Sequence, residues 1–465
     1  MKTLFNLSVI ALLLLPNIVF GGGDFQICTA NKDQEYPRVV LGSSNYLVTW
    51  IDHRAGDGIG YAKIYGQLVS QSGGLVGNEF IIGDSINQQW HSCDIAYGNN
   101  KYLVVWAKGP FVTVNTRAVG QLINTNGTLS GSAFLIFEGA TEAVVASDGT
   151  NFLAVSGNCG QRISSTGSLM GDTISLPGIN DQCDMVYDGS NYLIVYRSYN
   201  SSNDIYGQRV SSGGLLVGNQ ISICINSFSQ DYPRVAKGSA NCMVVWWDNR
   251  GSHEAAYGQL ISSSGSLIGN NFRISNSNLS YDIFLPVVAE YGANYIVAWY
   301  YFCGYVYGQK ITSGGVLQDT NYLITNNGGA YLQISGNSTN NLMAWDTDFG
   351  TGTDNDIYGT VDLSFHGIEE KASLYKPEIQ ILPNPLRNST TIGYSISENT
   401  NVSISIYDIS GKLIKVLLDK NVEPGNYTMR WDVNNGLDRK LSSGIYFIKF
   451  VAGNYKTTKK LTLIK

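Results

Sequence analysis

The sequence lacks most of the residues from which catalytic centres are built. Only 4 histidines occur in 465 residues, and charged residues make up 14% of the chain. His53, His91 and His253 fall in separate repeats at unrelated positions, so they do not suggest a shared centre. There is no GxSxG, HExxH or P-loop pattern, and no SxDxGxxW turn typical of propeller sialidases. The sequence therefore does not predict an enzyme.

Metal and redox motifs are absent as well. The 7 cysteines are odd in number and show no CxxC spacing, which argues against a zinc site or a redox dithiol. Most lie in predicted strands, where buried free thiols are expected, and a disulfide between Cys159 and Cys183 stays open as an alternative. The acidic stretch Asp346–Asp356 has many oxygen ligands but matches no EF-hand loop. We expect no cofactor, and calcium binding remains open.

Long apolar runs are missing after the first 20 residues. Lys2, the apolar run Leu4–Phe20, and the small residue Gly21 with Val19 two positions before it predict a signal peptide over residues 1–21. A membrane anchor is the alternative. The mature chain is expected to have no membrane span.

Helical periodicity is also scarce, whereas turn residues and β-formers are abundant. The 52 glycines and 29 tyrosines indicate many short strands joined by tight turns. The chain is therefore expected to be all-β.

Two motifs recur along most of the chain. The first ends a predicted second strand, from NYLVTW at Asn45 to NNLMAW at Asn340. The second, YGQ or a variant, opens a third strand, with glycine at Gly66, Gly120, Gly160, Gly207, Gly258, Gly308 and Gly359. Each motif occurs seven times, and each unit of about 50 residues reads as four antiparallel strands.

Seven such units predict a seven-bladed β-propeller over residues 24–363. The last unit stops after its third strand, whereas Asp24–Ala30 is a strand with no unit of its own. We expect this N-terminal strand to complete the last blade and so remove the exposed edges. A β-solenoid or a row of small sandwiches is the alternative.

Aromatic residues end the second strand in six units and are expected in the core between blades: Trp50, Trp106, Tyr196, Trp246, Trp299 and Trp345. The glycines of the YGQ motif are expected to let the backbones of neighbouring blades approach closely.

One face of the predicted propeller carries the loops between blades and those between second and third strands. Its polar residues are candidate ligand contacts: Asp33, Gln34, Asp52, Arg54, Trp90, His91, Asp181, Gln230, Asp231, Asp248 and Arg250. Such a ring of amides, carboxylates and aromatics suits a polyhydroxylated ligand. Because Asp and Arg recur two residues apart in WxDxR, a salt bridge within or between blades is the alternative role.

Charge is unevenly distributed. From Lys376 onward there are 13 basic and 7 acidic residues, and before it 17 basic and 29 acidic. An acidic body and a dispersed basic tail argue against nucleic acid as a partner.

The sequence changes in character after residue 363. Residues 364–380 are polar and lack the repeat, which predicts a linker, and residues 381–465 alternate apolar and polar residues in a way that predicts an immunoglobulin-like sandwich. The motifs here are PNP at Pro383, Asn384 and Pro385, IYDISGKLI with Tyr407, Asp408 and Gly411, SGIYFIKF with Gly444 and Tyr446, and a final KKLTLIK with Lys459 and Lys460.

Together these motifs resemble the C-terminal sorting domain (type A) of proteins exported by the bacterial type IX secretion system. They are also similar to the immunoglobulin-like domain of the flagellar hook-cap protein. The family form YPNPF has aromatics where this chain has Leu382 and Leu386. The resemblance implies export through the type IX machinery to the surface or exterior of a Gram-negative-type bacterium. An ordinary immunoglobulin-like module is the alternative.

The repeats resemble those of uncharacterised secreted bacterial β-propeller proteins. The expected function is binding of a glycan or a surface protein. The alternatives are a polysaccharide-acting hydrolase and a structural surface protein with no small ligand.

Overall fold

The strands of this chain pair into antiparallel sheets of three or four strands. A computed structural model describes residues 23–54, 62–86, 93–108, 116–140, 142–179, 181–200, 202–251, 253–276, 283–301, 305–325, 329–347, 355–361, 363, 378–382, 386, 389–396, 399–422, 425–432, 441–453 and 455–464. No helix occurs among these residues, which confirms the all-β prediction. The predicted signal peptide and most of the predicted linker lie outside them.

The chain divides into two units, Met1–Phe365 and His366–Lys465. The first unit begins with β1 (Phe25–Cys28) and continues with four-stranded sheets, which we number along the chain. Sheet 1 comprises β2 Gln34–Leu41, β3 Asn45–Asp52, β4 Ala62–Ser70 and β5 Leu75–Ile86. Sheet 2 comprises β6 Asp94–Gly98, β7 Lys101–Lys108, β8 Arg117–Asn124 and β9 Leu129–Glu138. Sheet 3 comprises β10 Val144–Ser147, β11 Phe152–Ser156, β12 Cys159–Ile163 and β13 Leu169–Ser175.

The same strand order continues through the next three sheets. Sheet 4 comprises β14 Asp181–Tyr187, β15 Asn191–Asn200, β16 Ser202–Ser211 and β17 Leu216–Cys224. Sheet 5 comprises β18 Gln230–Lys237, β19 Asn241–Asp248, β20 Ala255–Ser262 and β21 Leu267–Arg273. Sheet 6 comprises β22 Ile283–Tyr291, β23 Asn294–Tyr301, β24 Val306–Ile311 and β25 Leu317–Thr325.

Sheet 7 draws on both ends of the first unit. It comprises β26 Ala330–Gly336, β27 Asn341–Asp346, β28 Ile357–Thr360 and, as its outer strand, β1. Phe25 pairs with Gly359, and the Gln26 amide donates to the Tyr358 hydroxyl at 2.7 Å. Repeated four-stranded sheets, as the sequence predicts, therefore form a propeller-like unit.

Hydrophobic cores lie between consecutive sheets. Each core combines residues of one sheet with residues of the next; one unites Leu47 and Ile64 of sheet 1 with Trp106 of sheet 2. Another combines Val48 and Trp50 of sheet 1 with Leu342 and Ala344 of sheet 7. The six aromatics at the ends of second strands are at most 2% exposed, which confirms their predicted place in the core.

The glutamine of the YGQ motif closes a bulge. In sheet 1 the register between β4 and β5 shifts between Gly66 and Leu68, and Gln67 Nε2 donates to the carbonyls of Leu68 (2.9 Å) and Val76 (3.1 Å). The same shift at the motif recurs in sheets 2 to 6. The buried amide thus replaces ladder bonds that the bulge removes.

The motif glycines have a different role from the one expected. A Cβ on Gly66 would lie 2.8 Å from Ile82 Cδ1, a side chain of its own sheet, so the crowding is within the sheet. The close approach between sheets occurs instead at Gly42, where a Cβ would lie 2.1 Å from the hydroxyl of Tyr102. That hydroxyl crosses from sheet 2 and donates to the Asn45 carbonyl at 2.8 Å.

The second unit contains two sheets around one core. One holds β29 Glu378–Leu382, β30 Ser389–Ile396 and β33 Gly425–Asp432. The other holds β31 Thr400–Asp408, β32 Leu413–Val422, β34 Gly444–Ala452 and β35 Tyr455–Leu463, in the order β32-β31-β34-β35. Ile392 and Trp431 from the first sheet share a core with Ile404 and Ile448 from the second.

Candidate functional site

The inner strands of all seven sheets contribute to one cavity of about 550 Å³. Equivalent positions can be aligned through the register between first and second strands. In each sheet, one first-strand residue pairs with the second-strand residue that directly precedes the aromatic; in sheet 3 a serine stands in place of the aromatic. From sheet 1 to sheet 7 this first-strand residue is Arg38, Asp94, Val144, Asp184, Arg234, Val287 and Gln333. All seven residues line the cavity. Two arginines and two aspartates therefore face a common space.

A backbone irregularity repeats next to this ring. Five residues two positions before a ring residue adopt left-handed φ angles between 42° and 54°: Tyr36, Gln182, Tyr232, Leu285 and Tyr331. Each sits where the register between the first and second strands shifts, and each lines the cavity. Non-glycine residues in this conformation are strained, and such residues cluster at functional sites.

Aromatic rings form a large part of the cavity wall. Tyr36 and Tyr331 meet edge to face with centroids 4.4 Å apart, and Tyr232 meets Trp247 at 6.5 Å. Phe284 stacks on Tyr300 at 5.6 Å. Aromatic walls with a few fixed polar groups are typical of small-ligand sites.

The charges in the cavity are coupled. Arg38 Nε lies 3.8 Å from Asp94 Oδ1. Burial raises the pKa of Asp94 to about 6; Arg38 opposes this shift, and the negative charge of Asp184 adds to it. Burial, and then the positive charge of Arg234, lowers the pKa of Arg38. Arg234 forms no ion pair in the part of the chain that the structure describes, and its Nη1 donates to the Pro233 carbonyl at 3.3 Å.

The two aspartates, Asp94 and Asp184, also hydrogen-bond to neighbouring sheets. Asp94 Oδ2 accepts from the backbone N–H of Val145 at 2.7 Å, and Asp184 Oδ2 accepts from that of Val235 at 2.8 Å. Each bond runs from one inner strand to the next. These carboxylates are thereby held in fixed orientations at the cavity.

The loop-face residues predicted from the sequence lie nearer the sheet interfaces, and none of those described lines the cavity. Asp52 is fully buried: it accepts from Trp50 Nε1 at 2.9 Å and from Arg54 Nε at 2.8 Å. Asp248 is equally buried, with Trp246 Nε1 at 2.8 Å and Arg250 Nε at 2.8 Å. The geometry matches the salt bridge that the WxDxR spacing suggested.

Each of these arginines also reaches a neighbouring sheet, which is sheet 7 for Arg54 and sheet 4 for Arg250. Arg54 Nη2 lies 3.2 Å from Cys28 Sγ of β1, and Arg250 Nη2 lies 3.1 Å from Cys224 Sγ of β17. Their guanidinium groups cover Tyr65 and Tyr257, each at 4.2 Å from the ring centroid.

The remaining predicted contacts are scattered. Gln34 and Gln230 are fully buried and donate to the carbonyls of Lys32 (2.5 Å) and Phe228 (2.6 Å). Asp231 pairs with Arg197 at 2.8 Å, and Asp33 accepts from the Asn355 N–H at 3.0 Å. Asp181 begins β14, but its side chain is not described, and Trp90 and His91 lie outside the described residues. Ligand binding by this set stays a prediction.

Sequence reasoning missed the arginines of the cavity. The signal was the tetrapeptide YPRV, which occurs at Tyr36 and again at Tyr232 and places Arg38 and Arg234 at the same register position of two sheets. Among the described residues, no cluster of three or more His, Cys, Asp or Glu side chains is arranged to hold a metal ion. The six described cysteines are all free thiols, so Cys159 and Cys183 do not form a disulfide.

In the second unit the described motif residues lie in a turn and in three strands. Asp408 Oδ1 accepts from the backbone N–H groups of Ser410 (2.9 Å) and Lys412 (3.0 Å) and from the Ser410 hydroxyl (2.6 Å). The bond from the Ser410 hydroxyl is the main cause of the lowered pKa of Asp408. Gly411 takes the left-handed φ of 81° that this turn requires. Tyr407 ends β31 with Asp408, Gly444 and Tyr446 lie in β34, and Lys459 and Lys460 lie in β35; Pro383, Asn384 and Pro385 lie outside the described residues.

Comparison with known proteins identifies this second unit. Residues 380–465 match the model of the secretion system C-terminal sorting domain. No curated protein matches the chain. Similar solved structures include hydrazine synthase of Kuenenia stuttgartiensis (8% identity, 72% of this chain and 98% of that chain, TM-score 0.49). Another is acylaminoacyl peptidase of Pyrococcus horikoshii (9% identity, 80% of this chain and 59% of that chain, TM-score 0.41).

Among the described residues, no helix is long and apolar enough to cross a bilayer. The C-terminal sequence motifs and the family match over residues 380–465 both identify a C-terminal sorting domain. The chain therefore carries a C-terminal sorting domain that the type IX secretion machinery handles, and the protein is secreted or attached to the cell surface of Bacteroidetes-type bacteria.

Proposed function

We propose that the protein is an exported seven-bladed β-propeller that binds a glycan in its central cavity, followed by an immunoglobulin-like sorting domain. The seven-bladed ring is supported by the pairing of β1 with β28 and by the core shared between sheets 1 and 7. Tyr36 N–H also donates to Asp346 Oδ2 across these two sheets at 3.0 Å. The two sheets of the second unit around one core support the sandwich.

The observation that carries the binding proposal is the composition of the cavity. Two arginines, two fixed aspartates and Gln333 supply donors and acceptors, while Tyr36, Tyr232 and Phe284 supply flat apolar surface. Sugars need both, since their hydroxyls hydrogen-bond and their C–H faces stack on aromatic rings. The ligand class is therefore a polyhydroxylated one.

The test is a glycan panel applied to the full-length protein with and without calcium, with bound sugars followed by mass spectrometry. Arg234→Gln should weaken binding at least about tenfold, as expected for loss of a charged hydrogen-bond donor. The matched control is Arg209→Gln, because Arg209 contacts the Ser263 and Ser264 carbonyls at a turn away from the cavity. Equal binding by both variants would contradict the proposal.

A hydrolase is the second candidate, and one observation favours it. Asp94 has a pKa of about 6 and faces the charge of Asp184, as an acid and its carboxylate partner do in glycosidases. Cleaved sugars in the same experiment would establish this function. If no glycan in the panel is bound or cleaved, a protein ligand or a structural role at the cell surface would be favoured.

A further inference from the structure

Sheet 2 departs from sheets 1 and 5 at two positions near the second-strand tryptophan. In sheets 1 and 5 an aspartate follows the tryptophan by two residues, and a tyrosine of the third strand faces the tryptophan: Trp50, Asp52 and Tyr65, then Trp246, Asp248 and Tyr257. In sheet 2 the same positions hold Trp106, Lys108 and Val119. The aspartate has become lysine and the tyrosine has become valine.

The exchange of tyrosine for valine opens space. Tyr65 and Tyr257 stack on their tryptophans with centroids 6.2 and 6.5 Å apart. Beside the smaller Val119 lies instead a cavity of about 580 Å³, bounded by Trp106, Phe134 and Leu135 among others. Gly83 of sheet 1 forms part of the wall, where a Cβ would lie 2.7 Å from Trp106 Cζ2.

The exchange of aspartate for lysine leaves a donor without an acceptor. Trp106 is 2% exposed, and its buried Nε1 makes no hydrogen bond in the described structure. In sheets 1 and 5 the equivalent atom donates to a carboxylate at 2.9 and 2.8 Å. A buried N–H without a partner is costly, so this atom favours any acceptor that can enter.

Positive charge accumulates at the same place. Lys108 lies directly opposite Arg117 in the ladder between β7 and β8, and both line the cavity. Like charges in directly opposed positions repel. Glu138 pairs with Arg117 at 3.0 Å, but both side chains are more than half exposed. Lys108 forms no ion pair among the residues that the structure describes.

We propose that this cavity binds a carboxylate that replaces the missing aspartate. The carboxylate accepts from Trp106 Nε1 and pairs with Lys108 and Arg117. The cyclic or apolar body that bears it packs against Val119, Phe134 and Leu135. This site is separate from the central cavity and does not depend on the glycan proposal.

An unpartnered tryptophan alone does not make such a site. Trp299 and Trp345 also have buried Nε1 atoms that make no hydrogen bond to any residue the structure describes. However, Trp345 is covered by Tyr358, stacked at 6.3 Å, and the position two residues after Trp299 is Tyr301, packed against Tyr307 at 4.9 Å. Sheet 2 combines the orphan donor with a cavity and two cations.

The experiment titrates the full-length protein with two probe acids, N-acetylphenylalanine for a peptide carboxylate and glucuronate for a sugar acid, by ligand-observed NMR. N-acetylphenylalaninamide serves as the neutral control. Binding of at least one acid, with no binding of the amide, supports the proposal, and the acid that binds identifies the source of the carboxylate. Absence of binding by both acids, or equal binding by the amide, overturns it.

Two variants rebuild the arrangement of sheets 1 and 5. Val119→Tyr fills the cavity, and Lys108→Asp supplies an internal carboxylate; each should weaken acid binding at least about tenfold. Lys108→Asp should also raise the thermal unfolding midpoint, because the indole N–H gains its acceptor and Arg117 gains an opposite charge. Lys420→Asp, an equal charge change at an exposed residue of the second unit, should alter neither. Unchanged acid binding by Lys108→Asp overturns the proposal even if Val119→Tyr fails to fold.

Discussion

Two pairs of arginines in the same two sheets have opposite surroundings. Arg54 and Arg250 each contact a fully buried aspartate, an aromatic face and a cysteine of a neighbouring sheet. Arg38 and Arg234 line an open cavity, and the ion pair between Arg38 and Asp94 is long, at 3.8 Å. The first pair therefore holds neighbouring sheets together, whereas Arg234, which forms no ion pair among the described residues, has hydrogen-bonding capacity left for a ligand.

We expect the largest effect from removing the buried aspartate that contacts Arg250. Asp248→Ala leaves the Arg250 charge and the Trp246 N–H without their buried acceptor, so we expect the free energy of unfolding to fall by about 3–5 kcal/mol. Urea denaturation of the full-length protein measures this loss. Lys108→Ala, at the same register position of sheet 2, is the matched control and should cost about 0–0.5 kcal/mol. Similar losses for both variants would contradict the assignment.

The second effect concerns pH. The folded-state pKa of Asp94 is about 6, above its ordinary 3.8, so the native protein retains this proton where the unfolded chain has lost it. Its contribution to stability is therefore full below pH 4 and declines as pH rises to about 6, by up to about 3 kcal/mol. The free energy of unfolding, measured by denaturation at several pH values across this range, should depend less on pH for Asp94→Asn than for the wild type. Parallel profiles would show that Asp94 titrates normally.

Removing a cavity arginine should affect stability much less. Arg234→Gln loses no ion pair that the structure describes, so the free energy of unfolding should change by less than about 1 kcal/mol. Arg250→Gln, the matched change at the sheet interface, should cost about 3 kcal/mol because Asp248 is left as a buried charge. The urea midpoints of the two variants test whether Arg250 stabilises the fold more than Arg234 does. Equal shifts of the two midpoints would contradict this.

The smallest effect concerns a difference between the surroundings of Arg54 and those of Arg250. Arg54 has an additional partner in Glu79, with Nη2 and Oε2 3.1 Å apart, whereas sheet 5 has Asn271 at the equivalent position. Glu79→Asn makes sheet 1 resemble sheet 5 and should cost about 0.5 kcal/mol, because the Glu79 side chain is about one third exposed. A differential scanning calorimetry shift as large as that of Asp248→Ala would assign Glu79 a greater role.

The repeated sheets were predictable because their pattern is local. Apolar second strands, the YGQ motif and glycine turns each recur within one unit, so the four-strand order follows from neighbouring residues. The sorting domain was predictable for a similar reason, since its motifs lie in order over residues 380–465.

The cavity was harder to predict because it depends on register. Nothing in a tyrosine indicates that Tyr36 and Tyr232 adopt left-handed φ angles of 54°, and the associated register shifts decide which side chains line the cavity. The orphan N–H of Trp106 is likewise visible only after Lys108 is aligned with the buried aspartates of sheets 1 and 5. Sequence alone suggested where polar residues cluster, but not which of them already have partners.

The pairing of β1 with β28 has a kinetic consequence. These strands are separated by almost the whole first unit, so sheet 7 can be completed only after the last repeat has been synthesised. Pairing at such separation is slow, because the chain must lose much of its conformational entropy first. A chain that stops before β28 would have neither a complete sheet 7 nor a sorting domain. Truncated products would thus leave β1 without its partner strand, which is a site for edge-to-edge pairing, and would lack the domain that is handled for export.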